Sequence, residues 1–224
     1  MPDDPHELLR QIATARDNTY RSIGRMGNDI LTPVMNPAFT GGPRWPSLRQ
    51  GWRAIRREGN TLVASDGLSD PFDSHEAPSI GFGIEFIAET DEPMTDDIAE
   101  MWGTWLFQLV AIVSQIAAGN GHFLELIGRF GAISTEIPMA GDNVQALLNE
   151  EGRAGVLINA PARTLPSIIT TPFGDVQLIP VKLLMPQELA YITEHGGAGR
   201  AEVVRRFAES SGGHLSRLSR EPVV

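Results

Sequence analysis

The sequence predicts a single α+β domain in which helices flank a mixed β-sheet. Three observations carry that expectation. Segments of helical and strand period follow one another without a strict βα repeat, which argues against a doubly wound parallel fold. Residues 176–184 are apolar on both faces, the pattern of a strand covered on both sides. The chain has 224 residues, 42% of them apolar and 21% charged, enough to bury a core without a staple. It contains no cysteine, which excludes disulfides, thiolate metal sites and a cysteine nucleophile.

Residues 6–23 place Leu8, Leu9, Ile12, Ala15, Thr19 and Ile23 near one helical face, with Arg10, Arg16, Asp17 and Arg21 elsewhere, and Gly24 and Gly27 punctuate the end. Residues 28–60 are rich in Pro and Gly but hold Trp45 and Trp52, so they are expected to be an ordered covering segment. Residues 1–60 thus belong with a core at 61–224. A short strand at 61–64 ends in Ser65-Asp66-Gly67, and a polar loop fills 65–80. The strand at 81–90 has Phe82, Ile84, Phe86 and Ala88 on one face and Gly83, Glu85, Ile87 and Glu89 on the other. Glu85 is expected to face solvent on a half-covered sheet.

Thr95 is expected to cap one long helix reaching Gly119-Asn120-Gly121, with a broad apolar stripe from Ile98 through Ile116 and Thr104, Gln108 and Gln115 on a narrow polar side. Its acidic start, polar stripe and lack of basic flanks favour a buried central helix over a membrane span. The apolar runs at 123–127, 133–137 and 156–158 fit strands or helical turns equally, and 143–150 suits a short helix. Residues 171–175 read as a turn. In the strand that follows, Pro180 argues for an edge or a bulge while the apolar faces argue for a central place. Pro186 opens a helix that Gly196 and Gly197 end, and 200–210 make a last helix with Val203, Val204 and Phe207 inward.

The net charge of −10 disfavours nucleic acid and anionic membrane as partners. The arginines at 44, 49, 53, 56 and 57 are expected to form a solvated helix face with some acid pairing. No basic and apolar leader opens the chain, so a cytoplasmic location is expected. No two histidines share metal-ligand spacing, and no nucleophile elbow or phosphate loop is present. His75 and Glu76 are too few to hold a metal. No catalytic residue, cofactor or metal is therefore expected. Phe72 is a large ring among acids: it either plugs the core or anchors a partner peptide, with Asp70, Asp73 and Glu76 beside it to select a basic or His-bearing segment.

Several short motifs, in order, carry a resemblance. Gly67-Leu68-Ser69-Asp70-Pro71-Phe72, an acidic loop, then Pro78-Ser79-Ile80-Gly81-Phe82-Gly83-Ile84-Glu85-Phe86 resemble the suppressor-of-fused family. Thr171-Pro172-Phe173-Gly174-Asp175-Val176 and Pro186-Gln187-Glu188-Leu189 resemble its later motifs. The resemblance implies the first domain of that family alone, without the second domain that completes the animal form's clamp on a partner strand. It implies a non-enzymatic protein-binding domain, with Phe72 at the position of a partner-holding aromatic and Glu76 the nearest match to an acid that assists it. Bacterial single-domain members resemble immunity proteins, which neutralise a toxin by binding it; an acidic surface would suit a basic toxin. The alternatives are a hydrolase using acids and His75 of the 65–80 loop, and a regulatory or structural subunit. The oligomeric state is not legible.

Overall fold

The computed structural model describes residues 5–73, 78–210 and 212–224. The elements are α1 (Pro5–Ile23), β1 (Arg25–Met26), β2 (Gly51–Arg57), β3 (Asn60–Asp66), β4 (Ile84–Thr90), α2 (Ile98–Met101), α3 (Trp105–Asn120), α4 (Phe123–Phe130), β5 (Ile133–Pro138), β6 (Arg153–Ile158), β7 (Ile168–Thr171), β8 (Gly174–Leu183) and α5 (Pro186–Glu209). The strands form one sheet in the order β1-β2-β3-β4-β8-β6-β5, with β7 paired to β8 beside that path. β4 and β8 are parallel. The other pairings are antiparallel, so the sheet is mixed.

Strand alternation divides the core between the two faces. Val63, Phe86, Ala88, Ile179 and Val181 point to the face covered by α3, whose Leu106, Leu109, Val110 and Val113 meet them, and Trp45 and Trp52 complete that layer. Ile55, Leu62, Ala64, Ile87 and Leu178 point the opposite way, against Tyr20 and Ile23 of α1. α5 covers the same side further along, packing Ile192, Val203 and Phe207 on Leu157 and Leu184.

Several expectations are corrected. The long helix is two. Asp97 caps α2 by accepting from the Ala99 N–H at 2.8 Å, and Thr104 caps α3 by accepting from the Phe107 N–H at 3.3 Å. Thr104 sits at a cap rather than on a polar stripe because Gly103 interrupts the helix before it. Among the described residues no single helix is long and apolar enough to cross a membrane; α3 and α4 together would be, but they bend by 101°. The run at 123–127 is helical, while those at 133–137 and 156–158 lie in strands. The Arg-rich run lies mainly on strand β2, which pairs with β3 across the 60/61 boundary.

Pro180 reconciles its two readings. One edge of β8 pairs with β4; the other is held by β7 as far as Gln177 and by β6 from Val181 onward. Pro180 sits in the handover between β7 and β6, where its missing N–H leaves no ladder bond broken. Its carbonyl accepts from Asn159 and Ala160 at 2.9 and 3.0 Å. The expected break at Gly196 is present: at φ 59° and ψ −133° it is non-helical and divides α5 into two helical stretches across a kink.

Candidate functional site

The loop that follows β3 is tied down from within. Leu68 is buried, and its carbonyl accepts from the Phe82 N–H at 2.9 Å, so the loop is pinned at both ends. Gly81 makes the closure possible: it has φ +54°, and a Cβ there would lie 2.4 Å from the Asp70 carbonyl oxygen and 2.6 Å from that of Leu68.

Beneath the loop lies a network of buried charge. Arg16, on the face of α1 that meets the sheet, is 0% exposed. It donates to Asp66 at 2.6 Å, Asp70 at 2.8 Å, Ser69 at 2.8 Å and Glu85 at 3.3 Å. Arg49 donates to Asp66 at 2.9 Å and to Asp70 at 3.0 Å, and Arg53 donates to Asp66 at 3.0 Å. Glu85 also accepts from the N–H groups of Gly67 and Ser69 at 3.1 and 3.0 Å and from the hydroxyls of Ser65 and Ser69. Three carboxylates thus face three guanidiniums, and each carboxylate is hydrogen-bonded as a buried charge must be.

The electrostatics follow from that balance. Burial alone would lower the pKa of Arg16, but Asp66, Asp70 and Glu85 hold it well above its ordinary value. Burial would raise Asp66, yet Arg16, Arg49 and Arg53 keep it well below the usual carboxylate range. At Glu85 burial outweighs Arg16 and the serines, and the pKa is raised. Glu85 therefore corrects the sequence expectation. Its face of β4 is the one foreseen, but α1 covers that face, and the carboxylate meets Arg16 instead of water.

The predicted partner residues divide. Asp70 is buried and committed to Arg16, Arg49 and Ser47. Phe72 is half-buried and stands edge-on to Phe82, with ring centroids 5.4 Å apart. Asp73 is exposed, 3.6 Å from Arg44, with its N–H donating to the Pro46 carbonyl at 3.3 Å. Glu76 and His75 lie outside the described residues. Sequence reasoning missed Arg16, Ser65, Ser69 and Glu85 as a unit. A signal existed in α1: Leu8, Ile12, Arg16 and Tyr20 recur every four residues and all are buried.

A second polar cluster joins β4 to the chain end. His214 Nε2 lies 2.8 Å from Glu89 Oε2 and 3.4 Å from Thr164 Oγ1, and Arg57 and Asn60 also donate to Glu89. Hydroxyl and carboxylate approach the same ring nitrogen, so the imidazole cannot pass a proton from one to the other as a triad histidine does. Among the described residues no group of three or more His, Cys, Asp or Glu could hold a metal ion.

A motif loop seated on a satisfied ion network, at one end of a mixed sheet covered on both faces, defines a fold of suppressor-of-fused type. The structure of Drosophila Suppressor of Fused superposes with a TM-score of 0.57 over 96% of this chain, at 14% identity; this chain spans 51% of that one. The chain solved in the Sufu-Fu complex superposes with a TM-score of 0.55 over 96% of this chain and 91% of its own, at 15% identity. No protein-family model and no curated protein matches the sequence. At these identities the likeness establishes the fold.

Proposed function

We propose that this domain works by holding another protein through the surface around Phe72, and that it is not an enzyme. One observation carries the reading: Asp66 at the end of β3 and Asp70 in the motif loop face inward, where arginines occupy them, while Phe72 is only half-buried and Asp73 is exposed. A rigidly seated ring rimmed by acid is the chemistry of an interface anchor. Asp66 and Asp70 are inaccessible to a substrate, which argues against a hydrolase built on the acids of this loop. The likeness to a chain solved in the Sufu-Fu complex supports a protein partner.

The partner is read as a basic protein, and the role as that of an immunity-type protein in a bacterial cytoplasm; the net charge of −10 would speed capture of a basic toxin. Phe72, Asp73 and Glu76 are the contact residues, and Asp70 acts by fixing the loop. A second reading, a regulatory or structural subunit, draws on Val34, Met35 and Phe39, which stand exposed before β2. The test is co-purification from the native host with wild type, Phe72→Ala and Glu76→Lys. The two variants should lose the partner while their melting temperatures stay near wild type. Retained capture, or a fall in melting temperature that tracks the loss of capture, would overturn the assignment.

A further inference from the structure

After β6 the chain leaves the sheet at Asn159 and rejoins it at Ile168, the first residue of β7. The excursion is tied to β8 at both ends: the Pro180 carbonyl accepts from the Asn159 and Ala160 N–H groups, and the Ser167 carbonyl accepts from the Leu178 N–H. It encloses a hollow of about 480 Å³ against the second half of α5. The wall is mostly apolar, with Ala160, Leu165, Leu178, Pro180 and Val204 contributing, and among the described residues Arg200 is the one charged residue in the lining. That size is within the range of sites for small organic ligands.

The charge pattern is unusual for this chain. Most of its arginines have a carboxylate within 4.0 Å, including Arg49, Arg53, Arg57, Arg205, Arg206 and Arg220. Four have none among the described residues: Arg25, Arg163 and, beside this hollow, Arg129 and Arg200. The last two lie by one ring: their guanidinium carbons are 5.0 and 5.8 Å from the centre of Phe130, which is 48% exposed and also lines the hollow. A half-buried guanidinium with no counter-charge, beside an apolar hollow in an acidic protein, is complementary to an anion carrying an apolar body.

We propose that this hollow binds a small carboxylic acid with an aliphatic or aromatic body, its carboxylate on Arg200 and its body against Leu178, Pro180 and Val204. The site is separate from the loop at Phe72, and its test does not depend on a protein partner. The full chain, labelled with ¹⁵N, is titrated with octanoate and, in parallel, with octan-1-ol. Octanoate should shift the amides of Gly131, Gly197 and Ala201 and the Nε signal of Arg200. It should bind at least about tenfold more tightly than the alcohol, the worth of one charge-assisted hydrogen bond. Arg200→Met should abolish that preference and spare weak alcohol binding; Ala162→Trp, which fills the hollow, should remove both. Arg200→Gln serves if the methionine variant melts early. No shift with octanoate, equal binding of acid and alcohol, a preference that survives loss of Arg200, or binding that survives Ala162→Trp would each overturn the proposal.

Discussion

Replacing Arg16 with methionine should be among the most damaging single changes in this protein. Methionine keeps the helix propensity and much of the volume, so the perturbation is the loss of charge and donors. Four partners lose a donor at once: Asp66, Ser69, Asp70 and Glu85. Asp66 and Asp70 keep Arg49, and Asp66 keeps Arg53, whereas Glu85 loses the one cation that pairs with it among the described residues and keeps neutral donors. Removing one member of a buried pair typically costs about 3–5 kcal/mol, because the remaining charge stays in a medium that solvates it poorly. For a chain of this length each kcal/mol is worth about 2–4 °C, so the melting temperature should fall by roughly 6–20 °C. Thermal unfolding followed by circular dichroism at neutral pH, with urea unfolding beside it, reads the effect. Adding Glu85→Gln should recover part of the loss, since it removes the carboxylate left without a cation. A methionine variant within about 1 kcal/mol of wild type would mean that water reaches these groups, and would refute the account of the network as sealed.

Two further outcomes follow from local geometry. Gly81→Ala should destabilise the protein by about 2 kcal/mol or more, from its left-handed backbone and the collision with the Asp70 and Leu68 carbonyls; an unchanged urea midpoint would contradict the described closure of the loop. Lys182 is buried over the Phe207 ring at 4.5 Å with its ammonium on the Leu215 carbonyl, and burial, with Arg220 nearby, brings its pKa down to about 7. Its folded pKa lies below the unfolded value near 10.5, so between those values the unfolded chain binds more protons and stability rises with pH. Comparing urea midpoints at about pH 7 and about pH 9.5 should show that rise in wild type and a smaller one in Lys182→Met; an equal rise in both would assign it to other groups.

The amphipathic period of residues 6–23 fixed α1 within a residue, since a stripe at helical spacing has one economical way to be buried. The strand at 81–90 was legible by alternation, and the glycines of the motif loop marked a backbone that side chains would block. The break before α3 was not legible, because Gly103 and Thr104 interrupt an apolar stripe that continues on both sides of them.

The amino-acid sequence by itself determined the fold class, α1, the strands that became β3, β4 and β8, the helical character of α3 and α5, and the loop carrying Phe72, because periodicity, turn chemistry and short motifs are local properties of the chain. Only the tertiary structure decided that α1 lies over the Glu85 face of β4, which turned a carboxylate expected in water into the partner of Arg16, 69 residues away in sequence. It likewise decided that Asp70 faces inward while Asp73 stays in solvent, and where β8 passes from β7 to β6 around Pro180. Charges so far apart in sequence meet only when a helix is laid on a sheet, and no pattern within a single segment records which face that helix will cover.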